Sequence, residues 1–300
     1  RTRTRTSGQG YQCFHQGRSR IGRYQITTVI RYIDNEGAAL GGMILKCSPL
    51  SISKKHPPLI TIDMERYPVR FVSLGPGDPD LITLAAYKAL QKCDLIYYPT
   101  TISPSGKTLS RAEDIMLTHG INTAKFRPYT LPMRKDRTKA LEVYEEVASR
   151  CKADYRAGLS VVVAAEGDAG FYSSTHYISD ILLGQECPFI YIAGVPAFIA
   201  AGAVGGLSIT RQDEELQIIP GNATTKKLQE AMAQERTVLI MKLSRCESIV
   251  KEFLTKEDVA ATYFEHVGTA DEFITSRIIE DIMPRRFPYF SMLWLKPKRQ

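Results

Sequence analysis

Short apolar runs rich in β-branched residues alternate with helical patterns along most of this chain, and no other feature limits its fold as strongly. The strand candidates in the first half are VRFVSL (69–74), CDLIYYP (93–99), LSVVVAAEGD (159–168) and PFIYIAGVP (188–196). The helical patterns between them are PDLITLAAYKALQK (79–92), LEVYEEVASRCKADYRAG (141–158) and THYISDILL (175–183). This alternation predicts an α/β fold with a parallel sheet.

The alternation continues in a second unit after the segment GLSITRQDEE (206–215). Four more strand candidates follow: LQIIPG (216–221), TVLIMKL (237–243), ATYFEHVG (261–268) and YFSMLWLKP (289–297). The intervening stretches 223–234, 246–254 and 271–282 have helical patterns. We therefore predict two α/β domains, 68–212 and 213–300, with a cleft between them.

Residues 1–67 differ in composition from the rest of the 300-residue chain. They carry 11 basic and 4 acidic side chains, which accounts for the whole net charge of +7, whereas residues 68–300 carry 28 of each. The segment opens with RTRTRT and has no periodicity. It superficially matches an organelle transit peptide but has no clear amphipathic helix, so we expect a disordered or non-native extension. The main domains are neutral, which gives no indication of nucleic acid binding.

The six cysteines are widely spaced, without a C-x-x-C pair or histidines at zinc-ligand intervals. We expect buried free thiols in a reducing cytoplasm. No apolar run reaches the eighteen or so residues of a membrane span, so we expect no membrane role.

The stretch GPGDPD (75–80) follows the first strand candidate and precedes the first helix. Asp78 followed by Pro79 is typical of a helix N-cap with proline at the first helical position. A dinucleotide fingerprint would need glycine or alanine at Asp80, and a phosphate-binding loop would need a lysine soon after. Both phosphate hypotheses fail, and an ordinary structural turn is an open alternative.

Two further turns follow the same plan. EGDAG (166–170) and AGVPAF (193–198) each connect a strand to a helical pattern through small residues. Because the carboxyl ends of parallel strands lie at one edge of a sheet, the three loops are predicted to meet there. They would bind one extended ligand largely through main-chain groups, unless all three are ordinary strand exits.

These stretches, in this order, resemble the tetrapyrrole (corrin and porphyrin) methylase family. The signatures are GPGDPDLITLAA (75–86), EGDAGFYSS (166–174), AGVPAF (193–198), VLIMKLSR (238–245) and EHVGTADE (265–272). The resemblance runs from about Val69 to Pro297. It implies two α/β domains with the active site in the cleft between them, S-adenosylmethionine as methyl donor, a tetrapyrrole as substrate, and a homodimer.

Within this family the chain is most similar to the branch that methylates C20 of precorrin-2 in cobalamin biosynthesis. The features are EGD where other branches tend to have GGD or SGD, together with SRAEDI (110–115), LPMRKD (131–136), ELQIIPG (215–221) and KLSRCESIVKEFL (242–254). The chain departs from the uroporphyrinogen methylases at Pro99, where they carry an aspartate, which disfavours uroporphyrinogen as substrate. Ala169 stands where the second signature usually has proline.

The resemblance implies a cofactor site that is built from the three loops, a strand of the second domain and its last loop. Its residues are Pro76, Gly167, Asp168, Ala169, Tyr172, Pro196, Ala197, Met241 and Gly268. The carboxylate of adenosylmethionine would meet free N–H groups at a helix start, with apolar walls beside the adenine. On composition alone, Met241 is equally well explained as a core residue.

A substrate with eight carboxylates predicts basic side chains in the cleft. The candidates are Arg111, Arg134, Arg137, Arg211 and Arg245, with Lys135 and Lys139 close by in sequence. An exposed helix start would explain the group at 134–139 equally well. Asp78 is the candidate for accepting the proton that leaves C20 or for orienting the substrate, with a purely structural cap as the alternative. No metal is expected in the protein, and cobalt, if present, would belong to the substrate.

Other functions stay open at this stage. They are methylation of another corrin carbon, of a protein histidine derivative or of ribosomal RNA, and dinucleotide-dependent oxidoreduction. RNA methylation would favour a basic cleft, which the neutral 68–300 region does not indicate. An oxidoreductase would need a complete glycine fingerprint, and Asp94, at roughly the right spacing for its acidic residue, precedes its strand.

Overall fold

The computed structural model describes residues 67–103, 106–132 and 138–298, all of which belong to one compact unit. The predicted extension therefore lies outside the described residues, except for Tyr67. Within the described ranges, no helix is both long enough and apolar enough to cross a membrane. Four described cysteines, Cys93, Cys151, Cys187 and Cys246, are buried free thiols, as predicted for them.

The first sheet has six strands. They are Val69–Ser73 (β1), Leu95–Ile102 (β2), Thr108–Leu109 (β3), Phe126–Thr130 (β4), Val161–Ala165 (β5) and Phe189–Ile192 (β6). The strand order is β3-β2-β5-β1-β6, with β4 also paired to β2, and all pairs are parallel except β2 with β3. The prediction of a parallel sheet is confirmed.

Helices cover both faces of this sheet. They are Leu84–Lys92 (α1), Arg111–Thr118 (α2), Thr138–Arg156 (α3) and Thr175–Gly184 (α4), and Ala197–Val204 (α5) follows β6. Side chains of α1 and α2 pack with one face of the sheet, and those of α3 and α4 pack with the other. Because β5 is covered on both faces, all five of its residues are buried, and its sequence is an unbroken apolar run.

The second sheet has five strands in the order β10-β9-β11-β8-β7. They are Leu216–Pro220 (β7), Thr237–Met241 (β8), Val259–Glu265 (β9), Phe273–Thr275 (β10) and Ser291–Pro297 (β11). Only β7 and β8 are parallel; the other pairs are antiparallel. Helices Thr225–Ala233 (α6) and Glu247–Lys256 (α7) cover one face.

The other face of the second sheet packs against residues that follow the first sheet. Phe198, Ala200 and Ala201 of α5 form one buried cluster with Leu239 and Phe264. The predicted boundary near residue 212 falls in the segment between the two sheets, between α5 and β7, and it stays a prediction.

One predicted helix is wrong. Residues 271–282 form the short edge strand β10 and then a π-helix, Ile278–Ile282. The apolar residues Phe273 and Ile274 are also compatible with the spacing of a helix. In the structure, they instead pair with strand β9 in antiparallel fashion. The stretch was too short for periodicity to separate the two structures.

Candidate functional site

The first two loops of the first sheet are joined by their main chains. The N–H of Gly167 donates to the carbonyl of Gly75 at 2.6 Å, and the N–H of Gly75 donates to the carbonyl of Gly167 at 3.2 Å. This pair of bonds extends the pairing of β1 and β5 beyond the ends of the strands, although locally in antiparallel fashion. GPGDPD and EGDAG therefore form one continuous surface at the carboxyl edge of the sheet.

Asp168 connects the second loop to the third. One carboxylate oxygen accepts the N–H of Gly194 at 2.7 Å, and the other accepts the N–H of Gly170 at 2.8 Å. Ser73 adds a second connection, because its hydroxyl accepts the N–H of Ala169 at 2.8 Å and donates to the carbonyl of Ile192 at 2.7 Å. The prediction that three loops meet at one sheet edge is confirmed. Because both oxygens of Asp168 bind main-chain groups, its side chain positions the loops.

Gly167 leaves space at the centre of this surface. Its φ of +73° lies in the left-handed region that favours glycine, and a Cβ on this residue would meet no atom within 4 Å. Elsewhere in the loops a Cβ would clash, as at Gly194, where it would lie 2.3 Å from the Cβ of Ser73. The second loop thus presents an open stretch of main chain to which a ligand can approach closely.

The second sheet contributes a loop that closes on GPGDPD. A Cβ on Gly268 would lie 2.5 Å from the amide nitrogen of Asp78, and one on Gly77 would lie 2.9 Å from the carbonyl oxygen of Val267. The two main chains are therefore in direct contact. Only glycine at these two positions permits so close an approach.

A cavity of about 190 Å³ lies where these loops meet helix α2. It is lined by Gly77, Pro79, Arg111, Asp114, Ile115, Thr118, Gly268 and Thr269. Two of the predicted site residues, Arg111 and Gly268, thus share one cavity, and the cavity adjoins the Asp78 loop.

Arg111 is the first residue of α2, whose start is capped by the Ser110 hydroxyl accepting the N–H of Glu113. Its guanidinium donates to Oε1 of Glu166 at 3.0 Å and contacts Nδ1 of His266 at 2.7 Å. The guanidinium also lies 4.0 Å from the ring centroid of Phe290. Arginine cannot accept a hydrogen bond, so Nδ1 of His266 is the acceptor and the neutral ring carries its proton on Nε2.

Glu166 is the electrostatic centre of this network. Burial raises the pKa of its carboxyl above the ordinary value, and the Arg111 guanidinium acts in the opposite direction. The ion pair joins the exit of β5 to the start of α2, and the His266 contact extends it to the exit of β9. Arg111 is therefore fixed in place by partners from both sheets.

The remaining cofactor candidates lie around these loops. Pro76 is buried in the first loop, and Pro196 is the N-cap residue of α5. Ala197 and Met241 pack into the same apolar cluster, which brings together the third loop and the end of β8. Tyr172 is 46% exposed, has a φ of +48°, and stacks edge-to-face on Phe171.

Asp78 caps the short 3-10 helix Pro79–Leu81 by accepting the N–H of Asp80 at 2.9 Å. Its side chain is half-buried. The prediction that Asp78 caps a helix is confirmed, whereas the role of Asp78 in proton transfer stays a prediction.

The predicted substrate arginines are not all brought together. Arg245 is exposed and lies beside Gly221, close to the ends of β7 and β8 that face the loops. Arg211 is exposed in the turn before β7, next to Glu214, which pairs with Lys296 at the far end of β11. Arg134 and Arg137 lie outside the described residues.

Sequence reasoning missed three residues of the site: Glu166, His266 and Phe290. Glu166 and His266 belong to the signatures EGD and EHVG, so the sequence was sufficient to predict that they lie beside the loops. Their contact with Arg111 was not, because 55 and 155 residues separate them from it in sequence. Within the described ranges, no group of three or more His, Cys, Asp or Glu side chains could hold a metal ion. The expected absence of a protein-bound metal stays a prediction.

Residues 68–282 match the tetrapyrrole (corrin/porphyrin) methylases. The chain belongs to this family. It is thus an S-adenosylmethionine-dependent methylase, and the resemblance noted in the sequence is confirmed. The fold class predicted for it is confirmed as well.

Curated relatives of this tetrapyrrole methylase include enzymes named for position 20. It is 29% identical over 178 residues to the precorrin-2 C(20)-methyltransferase of a Sinorhizobium species, covering 58% of this chain and 72% of the relative. It is 26% identical to the cobalt-precorrin-2 C(20)-methyltransferase of Salmonella typhimurium, covering 74% and 93%. It is 28% identical to the cobalamin biosynthesis protein CobIJ of Mycobacterium bovis, but spans only 46% of that protein while 76% of this chain is covered.

Solved structures with the same fold include other methylases. One is the cobalt precorrin-4 methyltransferase CbiF, with a TM-score of 0.56 at 22% identity over 76% of this chain and 94% of that one. Another is the uroporphyrin-III C-methyl transferase of Thermus thermophilus complexed with S-adenyl homocysteine, with a TM-score of 0.54 at 18% identity over 76% and 97%. At these identities the likeness shows the fold alone.

The residues at these loops are chemically compatible with S-adenosylmethionine, which needs close backbone approach and apolar surface. The main chain is open at Gly167, the third loop ends in Pro196 at the start of α5, and Ala197 and Met241 supply apolar surface beside it. Bound at these loops, S-adenosylmethionine would supply an activated methyl group on its sulfonium.

Proposed function

We propose that this tetrapyrrole methylase methylates C20 of precorrin-2 or of its cobalt-bearing counterpart, cobalt-factor II, in cobalamin biosynthesis. Two relatives that are named for the C20 position support the assignment, as do the EGD and SRAEDI signatures. The two substrates differ in metal occupancy and not in shape at C20, so the enzyme would accept either on steric grounds.

The observation that carries the proposal is the set of three main-chain loops joined at Gly75, Gly167 and Gly194, closed by the Gly268 loop. A sulfonium donor brings its methyl group already activated, so the protein must mainly align the acceptor carbon and exclude water. Such positioning contributes about 7 kcal/mol or more in favourable cases. Six hydrogen bonds hold the loops, two at Gly75 and Gly167, two at Asp168 and two at Ser73, and all but the bond from Gly170 to Asp168 join separate segments. Loops held in this way are suited to that task.

The residues have distinct proposed roles. The donor would contact the open Cα face of Gly167, whose N–H and carbonyl are already paired with Gly75. Pro76, Asp168, Ala169, Tyr172 and Pro196 would lie beside it, with Ala197 and Met241 as apolar wall. Arg111 and Arg245, with Arg134, Arg137 and Arg211, would bind substrate carboxylates. Asp78 is the candidate for taking the proton that leaves C20 or for orienting the ring, and its cap on the Asp80 N–H is the alternative role.

Methylation of another corrin carbon is the second candidate. CobIJ is a relative over 76% of this chain, and CbiF, named for precorrin-4, has the same fold. Uroporphyrinogen is disfavoured by Pro99, which lies in β2 opposite Tyr129 of β4 and has no side chain that could accept a proton.

The remaining parts of the proposal concern the setting of the enzyme. We propose a homodimer that acts in the cytoplasm on a small-molecule tetrapyrrole, without nucleic acid or membrane partners. Light scattering coupled to gel filtration tests the dimer, and a monomer at micromolar concentration would contradict it.

The test of function uses the full chain with methyl-labelled S-adenosylmethionine. Precorrin-2 and cobalt-factor II are supplied separately, and the product is located by mass spectrometry and NMR. We expect one labelled methyl group at C20. A label at another carbon would support the second candidate, and no transfer to either compound would overturn the proposal.

A further inference from the structure

Residues Tyr289 and Phe290 lie at the edge of the second sheet that faces the site. Strand β8 ends at Met241, β9 ends at Glu265, and β11 begins at Ser291, immediately after the two aromatic residues. The register places Ser291 opposite Glu265 and Met292 opposite Met241. The N–H of His266 donates to the carbonyl of Phe290 at 3.0 Å, so the aromatic pair is fixed beside the loop that closes on GPGDPD.

Both rings are exposed although the segment that carries them is tightly held. Tyr289 is 50% exposed and Phe290 is 44% exposed, and the two rings contact edge-to-face at 5.2 Å. On the amino-terminal side, Phe287 is buried, and its N–H donates to Glu247 at 3.0 Å. On the other side, the Ser291 hydroxyl donates to the carbonyl of Pro288 at 2.6 Å. The segment thus presents two adjacent aromatic rings to solvent in a fixed position.

Two cationic side chains contact the rings, and a third lies three residues along the chain. The ammonium of Lys242 lies 5.8 Å from the centroid of Tyr289, and the guanidinium of Arg111 covers Phe290. Arg245 is exposed three residues after Lys242. In the described part of the chain, neither Lys242 nor Arg245 forms an ion pair, whereas Arg111 is paired with Glu166.

Lys242 also holds an unusual backbone conformation. Its φ of +56° and ψ of +49° are left-handed, which costs a non-glycine residue about 1 kcal/mol or more. The conformation turns the chain out of β8 directly after Met241 and starts the short helix that ends at Arg245. The turn places the ammonium of Lys242 next to the exposed ring of Tyr289.

We propose that Tyr289 and Phe290 form the wall against which one face of the tetrapyrrole lies, and that Lys242 and Arg245 bind carboxylates at the rim of that ring. This rests on the proposed function and adds the residues that hold the substrate. A large ring fringed by carboxylates matches an apolar aromatic surface with unpaired cations at its border. The ring can stack on the face of Tyr289 and contact Phe290, which is perpendicular to it, while the carboxylates pair with the charges. Aromatic contacts of this kind change affinity about 2- to 12-fold.

The binding experiment uses uroporphyrin III, a stable fluorescent ring with eight carboxylates, and the full-length protein. Fluorescence titration gives its Kd for wild type, Tyr289→Ala and Lys242→Gln. The matched controls are Tyr67→Ala, at the opposite end of β1 and 70% exposed, and Lys92→Gln, at the far end of α1. Calorimetry measures S-adenosylmethionine binding, and circular dichroism measures the Tm of each variant.

We expect Tyr289→Ala to raise the Kd for uroporphyrin III about 3- to 10-fold. Lys242→Gln should raise it about 3-fold and lower its dependence on NaCl concentration. Both variants should keep wild-type affinity for S-adenosylmethionine, and the two controls should match wild type throughout. The proposal would be contradicted if Tyr289→Ala and Lys242→Gln bound uroporphyrin III as tightly as wild type does. It would also be contradicted if the wild-type protein bound no tetrapyrrole.

The test of substrate binding by Tyr289 and Lys242 and the test of C20 methylation can fail independently. If the variants lose uroporphyrin III affinity while wild type methylates a carbon other than C20, the substrate-binding role of the aromatic pair is supported and the C20 assignment fails. If wild type methylates C20 and Tyr289→Ala has an unchanged KM for precorrin-2, the C20 assignment is supported and the substrate-binding role of the aromatic pair is contradicted. Binding of the rings to a protein partner or a lipid surface would leave tetrapyrrole affinity unchanged in both variants and so counts against the proposal.

Discussion

Gly268 lies against the backbone of Asp78 so closely that a Cβ on Gly268 would be 2.5 Å from the Asp78 amide nitrogen. Through this contact the loop after β9 and the loop after β1 hold each other in position. The proposed donor site therefore depends on contact between two segments that are 190 residues apart in sequence.

Replacing Gly268 by alanine should separate the two loops. We expect Gly268→Ala to lose about 2 to 3 kcal/mol of unfolding free energy, of which about 1 kcal/mol is the left-handed backbone and the rest is the clash. The affinity for S-adenosylmethionine should fall at least 10-fold. Urea unfolding and calorimetric titration measure the two effects.

Gly158→Ala is the matched control. Gly158 also has a positive φ, +87°, but a Cβ there would meet no atom within 4 Å. It should lose only about 1 kcal/mol and bind the donor normally. Equal losses in the two variants would mean that the contact with Asp78 has no energetic role.

Asp168 should act through the loops that it joins. Asp168→Asn keeps one acceptor oxygen but replaces the other by a donor, so one of the bonds to Gly170 and Gly194 is lost. We expect the KM for S-adenosylmethionine to rise about 10- to 150-fold, because a hydrogen bond to a charged group contributes about 1.5 to 3 kcal/mol. The KM for the tetrapyrrole should change little. Asp180→Asn, an exposed residue of α4, is the control, and an unchanged donor KM for Asp168→Asn would contradict the interpretation.

Asp78 can be tested for its two candidate roles with one conservative variant. Asp78→Asn keeps an acceptor for the Asp80 N–H but cannot take up a proton at neutral pH. The hydrogen bond favours the capping role, so we expect kcat to stay within about 3-fold of wild type, whereas loss of a general base costs about 100-fold or more. Asp78→Ala removes the cap and should lower the unfolding free energy by about 1 kcal/mol. A large fall in kcat of Asp78→Asn at unchanged Tm would instead establish the proton-accepting role.

The Arg111–Glu166 pair should give stability a defined pH dependence. Burial raises the folded-state pKa of Glu166 above its unfolded value, so the folded form binds more protons and stability falls as pH rises through the window above about 4.5. Arg111 limits this rise, so Arg111→Met should raise the pKa further and lose more stability at pH 8 than at pH 5, by about 1 to 3 kcal/mol.

Urea unfolding of wild type, Arg111→Met and the double variant Arg111→Met/Glu166→Gln at both pH values measures this. The double variant has no carboxyl to titrate, so its loss should be similar at pH 5 and pH 8. A loss in Arg111→Met that does not depend on pH would show that Glu166 is not the group responsible.

The sequence was sufficient for elements whose pattern is determined locally. Val161–Ala165 is an unbroken apolar run because the strand is covered on both faces, and Asp78 with Pro79 specifies a turn from its own chemistry. The three loops could be placed at one edge from the rule for parallel strands alone. Periodicity failed at Phe273–Thr275, since a three-residue edge strand is defined by its pairing with β9.

The contacts of the site required the structure. Arg111 was selected as a substrate ligand from its type and position, but its partners Glu166, His266 and Phe290 come from three separate segments. Arg211 looked equivalent in sequence, yet it precedes β7 and so lies at the opposite end of that strand from Arg245. Strand direction, which single residues do not encode, separates the two arginines.

The mutual hydrogen bonds of Gly75 and Gly167 also limit how such enzymes can be recombined. Each loop supplies both the donor and the acceptor that the other needs, so a loop of different length on one strand would leave two backbone groups without partners. A chimera that takes GPGDPD from another methylase should therefore fold well only if it takes EGDAG from the same parent.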